Sequence, residues 1–145
     1  MQKIKLLTED DIKKNKNDLE ELFKNLNILD MTEMIKKLSL FITQKMCVCL
    51  GAYKENKLIG ILWAYKREFS DELRYHINYF SVKSKNQNQG IGNKLLEKLK
   101  DIAKEEKIKV IDLNVDINNE QAKNFYKKNN FEEEKILLHL NLGEK

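Results

Sequence analysis

Apolar and polar positions along the chain alternate between two rhythms. Lys3–Leu7 has the two-residue period of a short strand. Thr8 or Asp10 can then cap a helix running to about Asn25, in which Ile12, Leu19, Leu22, Phe23 and Leu26 form an apolar stripe. Asp30 or Thr32 can cap a second helix, through Met34, Ile35, Leu38 and Ile42. Met46–Tyr53 and Leu58–Arg67 read as strands on either side of a Lys54-Glu55-Asn56-Lys57 turn, a plausible hairpin. Leu73–Val82 is a third strand-like run, rich in aromatics. From Gly90 to Glu106 the period becomes helical, with Ile91, Leu95, Leu99, Ile102 and Ala103 on one face. Lys109–Val115 predicts a short strand, Asn119–Asn129 a helix and Phe131–Leu142 a last strand. The predicted order is βααβββαβαβ. Hairpins first and β-α-β units last imply an α/β (α+β) fold, a mixed sheet with helices on both faces.

No repeat, low-complexity tail or Gly/Ser/Pro-rich linker interrupts this pattern, so 1–145 is expected to be one domain. With 41% hydrophobic and 34% charged residues, the chain can bury a core under a charged surface. No apolar run approaches the roughly 18 residues that span a bilayer. Met1-Gln2-Lys3-Ile4-Lys5 lacks the apolar core of a secretory signal, so a cytoplasmic protein without membrane partners is expected. The net charge of +4 does not point to nucleic acid. Lys13, Lys14 and Lys16 are interleaved with Asp18, Glu20 and Glu21, which is the pattern of solvated helix faces. The abundance of Lys, Asn and Ile, with two Arg and no Pro, is what A/T-rich codons produce. Cys47 and Cys49 fall on one strand face but side by side. Zinc would need further ligands at suitable spacing, and His76 and His139 are isolated, so no metal is expected.

The chemistry concentrates after Phe80-Ser81-Val82. A polar loop, Gln87-Asn88-Gln89-Gly90-Ile91-Gly92, opens directly into the amphipathic helix. Backbone N–H groups converge at a helix amino terminus and the macrodipole adds positive charge there. Glycines let an anion approach that backbone, so the segment suits a pyrophosphate. A P-loop would need Gly-Lys-Ser/Thr, which is absent. A dinucleotide fingerprint would need a third glycine where Leu95 stands.

Gln87-x-x-Gly90-x-Gly92 resembles the Gln/Arg-x-x-Gly-x-Gly/Ala signature of the GNAT superfamily of acetyl-CoA-dependent N-acetyltransferases. Asn119-x-x-Ala122-x-x-Phe125-Tyr126 followed by Asn129-Asn130-Phe131 is similar to that family's second motif, at the expected separation. The order of elements also matches over nearly the whole chain, which implies a GNAT-like, mostly antiparallel sheet. The resemblance implies that Phe80, Ser81 and Val82 pair with the pantetheine arm in the manner of an added strand. It further implies that the amides of Asn88, Gln89, Gly90, Ile91, Gly92 and Asn93 hold the pyrophosphate and that Asn119 bonds the cofactor. Tyr126 would stand near the thioester sulfur as general acid; core packing of Ala122, Phe125 and Tyr126 on one helix face is the plainer alternative. Asn88 and Asn130 stand where the family usually has glycine, and asparagine is the non-glycine best tolerated in the left-handed region.

An attacking amine must lose a proton. Histone-acetylating members use a glutamate on the fourth strand, and counting back from Gly90 puts His76 there; ribosomal-protein members use one on the fifth, where Asn114 stands. Imidazole is a chemically reasonable base near cellular pH, and simple alternation places His76 on the face of Asn78 and Phe80. A partly exposed histidine without a task, with a water chain to solvent as base, is the alternative. The acceptor, a small-molecule or protein amine, is not legible, and a homodimer is compatible with the family. A non-catalytic acetyl-CoA sensor and a lysine-rich RNA-associated protein are the competing readings.

Overall fold

The computed structural model describes residues 2–24, 30–43 and 46–143. Asn25 and Leu26, expected at the end of the first helix, lie outside them. The chain divides into two compact units, Met1–Leu113 and Asn114–Lys145.

The first unit holds β1 (Gln2–Leu6), α1 (Glu9–Lys14), α2 (Lys16–Lys24), α3 (Met31–Ile42), β2 (Cys47–Lys54), β3 (Lys57–Phe69), β4 (Glu72–Val82), a 3₁₀ turn (Ser84–Asn86), α4 (Ile91–Glu105) and β5 (Ile111–Leu113). Its sheet has the order β1-β2-β3-β4-β5. The first three pairings are antiparallel and the last is parallel. Two-residue turns close both central hairpins, with Glu55 and Asn56 at φ 52° and 67°, and Ser70 and Asp71 at 50° and 65°. Positive φ at both positions twists the chain in the sense that the flanking strands require.

The single first helix expected from the periodicity is two. Thr8 caps α1 in a capping box with Asp11. Asn15 then ends it: its carboxamide donates to the Asp11 carbonyl at 2.7 Å and to Tyr53 Oη at 3.0 Å. A short polar side chain that bonds the backbone in this way competes with the helix itself. Asp30 caps α3, as the sequence suggests.

The two sheet faces are distinct. Ile12, Leu19, Leu22, Phe23 and Leu38 of α1–α3 cluster with Cys49, Ile61 and Trp63. Gly60, on the opposite face of β3, approaches α4 so closely that a Cβ there would stand 3.3 Å from Ile91 and Leu95. Cys47 is half-buried on the α1–α3 side and accepts the Trp63 indole N–H at 2.9 Å. Among the described residues no helix is long and apolar enough to cross a membrane.

Between Trp63↔Tyr79 and Ala64↔Ile77 the β3–β4 register shifts, leaving Asn78 as an extra residue in β4. This bulge reverses the side-chain phase of β4. His76 pairs with Tyr65 and Tyr79 with Trp63, on one face; Ile77 pairs with Ala64 and Phe80 with Leu62, on the other. The expectation that His76 and Phe80 share a face is therefore wrong.

The second unit contains α5 (Glu120–Lys128), so the observed order is βαααβββαβα. The last strand expected at 131–142 does not form. Its apolar residues Ile136, Leu137, Leu138, Leu140 and Leu142 are 82–91% exposed. Residues 114–143 contain no second strand, and a lone strand has no partner for its N–H and C=O groups.

Candidate active site

The β4–β5 ladder is three residues long and ends at Ile77↔Leu113, immediately before the bulge. β4 runs on through 78–82 past the last β5 pair. Ser81 turns its hydroxyl toward α2, donating to the Leu22 carbonyl at 2.9 Å. Two residues on, Lys83 is fully buried and its ammonium meets Asp18 and, at 3.6 Å, Glu21 of α2. Its amide donates to the Ile59 carbonyl at 2.9 Å. The end of β4 is thus held to a helix and to the neighbouring strand before the loop begins.

Within the loop, the Gln87 carboxamide donates back to the Val82 carbonyl at 3.1 Å. Asn88 adopts φ 64° and Gly90, the N-cap of α4, φ 78°. Asn88 thus takes the left-handed conformation expected of an asparagine in a glycine position, as does Asn130 at 68°. No side chain caps α4, and a Cβ on Gly90 would meet nothing within 4 Å. Gln87, Asn88, Gln89 and Gly90 are all exposed. The first intrahelical bond runs from the Lys94 amide to the Gly90 carbonyl. The amides of Ile91, Gly92 and Asn93 belong to the first turn, whose N–H groups point out of the helix end. An accessible uncapped helix terminus behind two positive-φ residues fits a diphosphate.

His76 is buried, only 6% exposed, rather than partly open to solvent. Its Nδ1 lies 2.7 Å from Oδ1 of Asp112, its neighbour in the β4–β5 ladder, and its ring centre 5.4 Å from that of Tyr65. Asp112 went unnoticed in the sequence. The available signal was that it is the lone acid in the expected strand Lys109–Val115. Asn114 lies beyond the end of β5.

In the second unit, the Asn119 side chain accepts the Ala122 amide at 3.1 Å and so caps α5. Its carboxamide N–H₂ points to no role in that cap and can serve as a donor. Tyr126 follows seven residues later, two turns along the same helix face. Its ring packs edge-on against Phe125 and Phe131 at 5.4 and 5.3 Å, and burial pushes its phenol up to about 12. Packing and a protonated hydroxyl are thus both present. The predicted residues of β4 and the loop lie in the first unit, and Asn119 and Tyr126 in the second.

Comparison with solved structures gives matches along nearly the entire chain. An aminoglycoside acetyltransferase, meta-AAC0020, from an uncultured soil metagenomic sample in complex with sisomicin is 25% identical, with TM-score 0.76, covering 99% of this chain and 97% of that one. A predicted acetyltransferase with acetyl-CoA from Clostridium acetobutylicum is 20% identical, with TM-score 0.79 and coverage of 98% and 97%. A ribosomal-protein-alanine N-acetyltransferase from Brucella melitensis is 17% identical, with TM-score 0.78 and coverage of 99% and 100%. The latter two likenesses speak for the fold alone. No curated protein matches. The sequence profile of the acetyltransferase (GNAT) family matches residues 14–131, a span that takes in the bulged β4, the loop through Asn88 and Gly90, and α5 with Tyr126. On that match and this sheet, the chain belongs to the GNAT acetyltransferase family.

Proposed function

We propose that this acetyltransferase-family chain moves an acetyl group from acetyl-CoA to a primary amine by direct attack of the amine on the thioester. The observation that carries the reading is the uncapped amino terminus of α4 behind Asn88 and Gly90. Acetyl-CoA supplies the acyl group in activated form. The amides of residues 88–93 hold its pyrophosphate, and the backbone of Phe80, Ser81 and Val82 takes the pantetheine amides. Asn119 donates from α5 while its oxygen stays in the helix cap.

His76 accepts the proton that the amine gives up. Tyr126 faces the departing sulfur as the acid. A phenol at about 12 releases its proton less readily than an ordinary thiol at about 8.5. Tyr126 therefore acts by donating a hydrogen bond to the developing thiolate, and stays protonated across the working pH range.

The test is thiol release from acetyl-CoA with the intact chain and a panel of amines. Sisomicin and other aminoglycosides come first, because meta-AAC0020 is described with sisomicin; small polyamines and peptides with free amino termini follow. Amine-dependent release is the expected result. Binding of acetyl-CoA without any such release would favour a sensing module. Calorimetry showing no binding of coenzyme A or acetyl-CoA would remove both.

A further inference from the structure

Arginine occurs only at Arg67 and Arg74 in this lysine-rich chain, and the β3–β4 ladder sets the two directly opposite each other. Like charges facing across a ladder repel. Carboxylates offset that repulsion here. Arg74 Nε lies 2.9 Å from Glu72 Oε2, and Arg74 Nη1 3.3 Å from Asp112 Oδ2. Arg67 Nη2 lies 3.8 Å from that same Asp112 oxygen. The Arg74 guanidinium also stacks over Phe69, 4.4 Å from the ring centre. Both arginines therefore address Oδ2 of Asp112, and Oδ1 is left to His76 Nδ1 at 2.7 Å. The side chains of Arg74, His76 and Asp112 are 9%, 7% and 17% exposed, so little solvent competes.

We propose that Asp112 is a positioning residue: held by Arg67 and Arg74, it fixes His76 as the Nδ1–H tautomer and so presents Nε2 as the proton-accepting nitrogen. An ionised carboxylate can only accept, so the proton between Oδ1 and Nδ1 belongs to the ring. The other nitrogen of a neutral imidazole then carries the lone pair. Arginine suits this place because one planar fork reaches Glu72 and Asp112 together through Nε and Nη1, which a lysine ammonium cannot do in that geometry.

This inference rests on His76 being the base, yet its test does not require turnover. Long-range ¹H–¹⁵N NMR of the full chain at pH 8.5 reads the tautomer directly. The chain has two histidines, so His139→Gln assigns the signals. The expected spectrum has His76 Nδ1 protonated and Nε2 bare. In Asp112→Asn, whose carboxamide can present either its oxygen or its N–H₂, the signals should shift toward the Nε2–H form. The kcat of that variant should fall about tenfold or more with the KM for acetyl-CoA unchanged, and Asp112→Glu should recover part of the loss. An Nε2–H ring in the unaltered protein overturns the inference without any variant. So does a tautomer that Asp112→Asn, confirmed folded by circular dichroism, leaves unchanged. Undiminished turnover in His76→Ala would instead remove the base reading, so the two failures are separable.

Discussion

Gly90 and Asn88 shape the loop through backbone angle rather than through any side-chain contact. A methyl at Gly90 would touch nothing, so Gly90→Ala isolates the conformational cost of φ 78°. That cost is about 1–2 kcal/mol. The urea midpoint should fall accordingly, and calorimetry should find coenzyme A affinity reduced, because the first-turn amides lose their aim. An unaltered affinity would mean that the loop does not grip the diphosphate. Asparagine at 88 and 130 was legible as a left-handed residue because few side chains tolerate that region. Tyr126 was legible only through the family motif, since its contacts with Phe125 and Phe131 are those of any packed aromatic. Phenylalanine keeps those contacts. Tyr126→Phe should therefore stay folded and bind acetyl-CoA normally, while kcat drops about a hundredfold, the low end of what one hydrogen-bond donor to a developing anion contributes. Unchanged turnover would strip Tyr126 of its assigned part.

The elements themselves followed from periodicity wherever a residue had one dominant partner. α3, α4 and the two hairpins begin and end within a residue or two of their expected bounds. Periodicity failed where a single residue broke phase. Asn15 splits the first helix through a side-chain bond to the Asp11 carbonyl, and Asn78 adds a residue to β4. Neither leaves a mark on the hydrophobic pattern, and the second turned His76 to the other face. Residues 131–142 alternate as a strand should, but alternation describes side chains and cannot supply the backbone partner that a strand needs. Lys83 was also missed, because a lysine after a strand ordinarily reads as solvated. It is fully buried against Asp18 and Glu21, tying β4 to α2. Lys83→Ala should cost about 1–3 kcal/mol, since it takes the partner from a partly exposed Asp18, whereas the double change Lys83→Met with Asp18→Leu should cost less. Chemical denaturation of the two variants checks the ordering, and equal losses would mean that the pair is not what joins strand to helix.

At the scale of the whole molecule, tyrosine burial sets an alkaline limit. Burial, with Asp11 adding to it, pushes the Tyr53 phenol up to about 12, and burial alone does the same for Tyr126. Tyr75 is raised by burial and by its bond to Glu106, and Tyr79 by burial. The folded chain therefore keeps protons that the unfolded chain releases near pH 10. Stability from these phenols is complete below about pH 10 and is lost as pH rises from there toward 12. The urea midpoint at pH 11 should be lower than at pH 9, and Tyr53→Phe should narrow the gap; an identical gap in that variant would clear Tyr53 of any part in it. The mixed sheet with helices on both faces was readable from the order of elements, because hairpins and β-α-β units have few ways to share a sheet. The pairing of His76 with Asp112 was not, since it joins residues 36 positions apart through a register only the folded sheet defines. The placement of the two arginines has one more use. Both lie in the β3–β4 ladder near its turn, beyond the last β2 and β5 pairs, so a protease that cleaves only after arginine has no extended substrate until that end of the hairpin comes apart. Its rate of cutting would then serve as a clock for opening of that hairpin end, read from one gel band as it disappears.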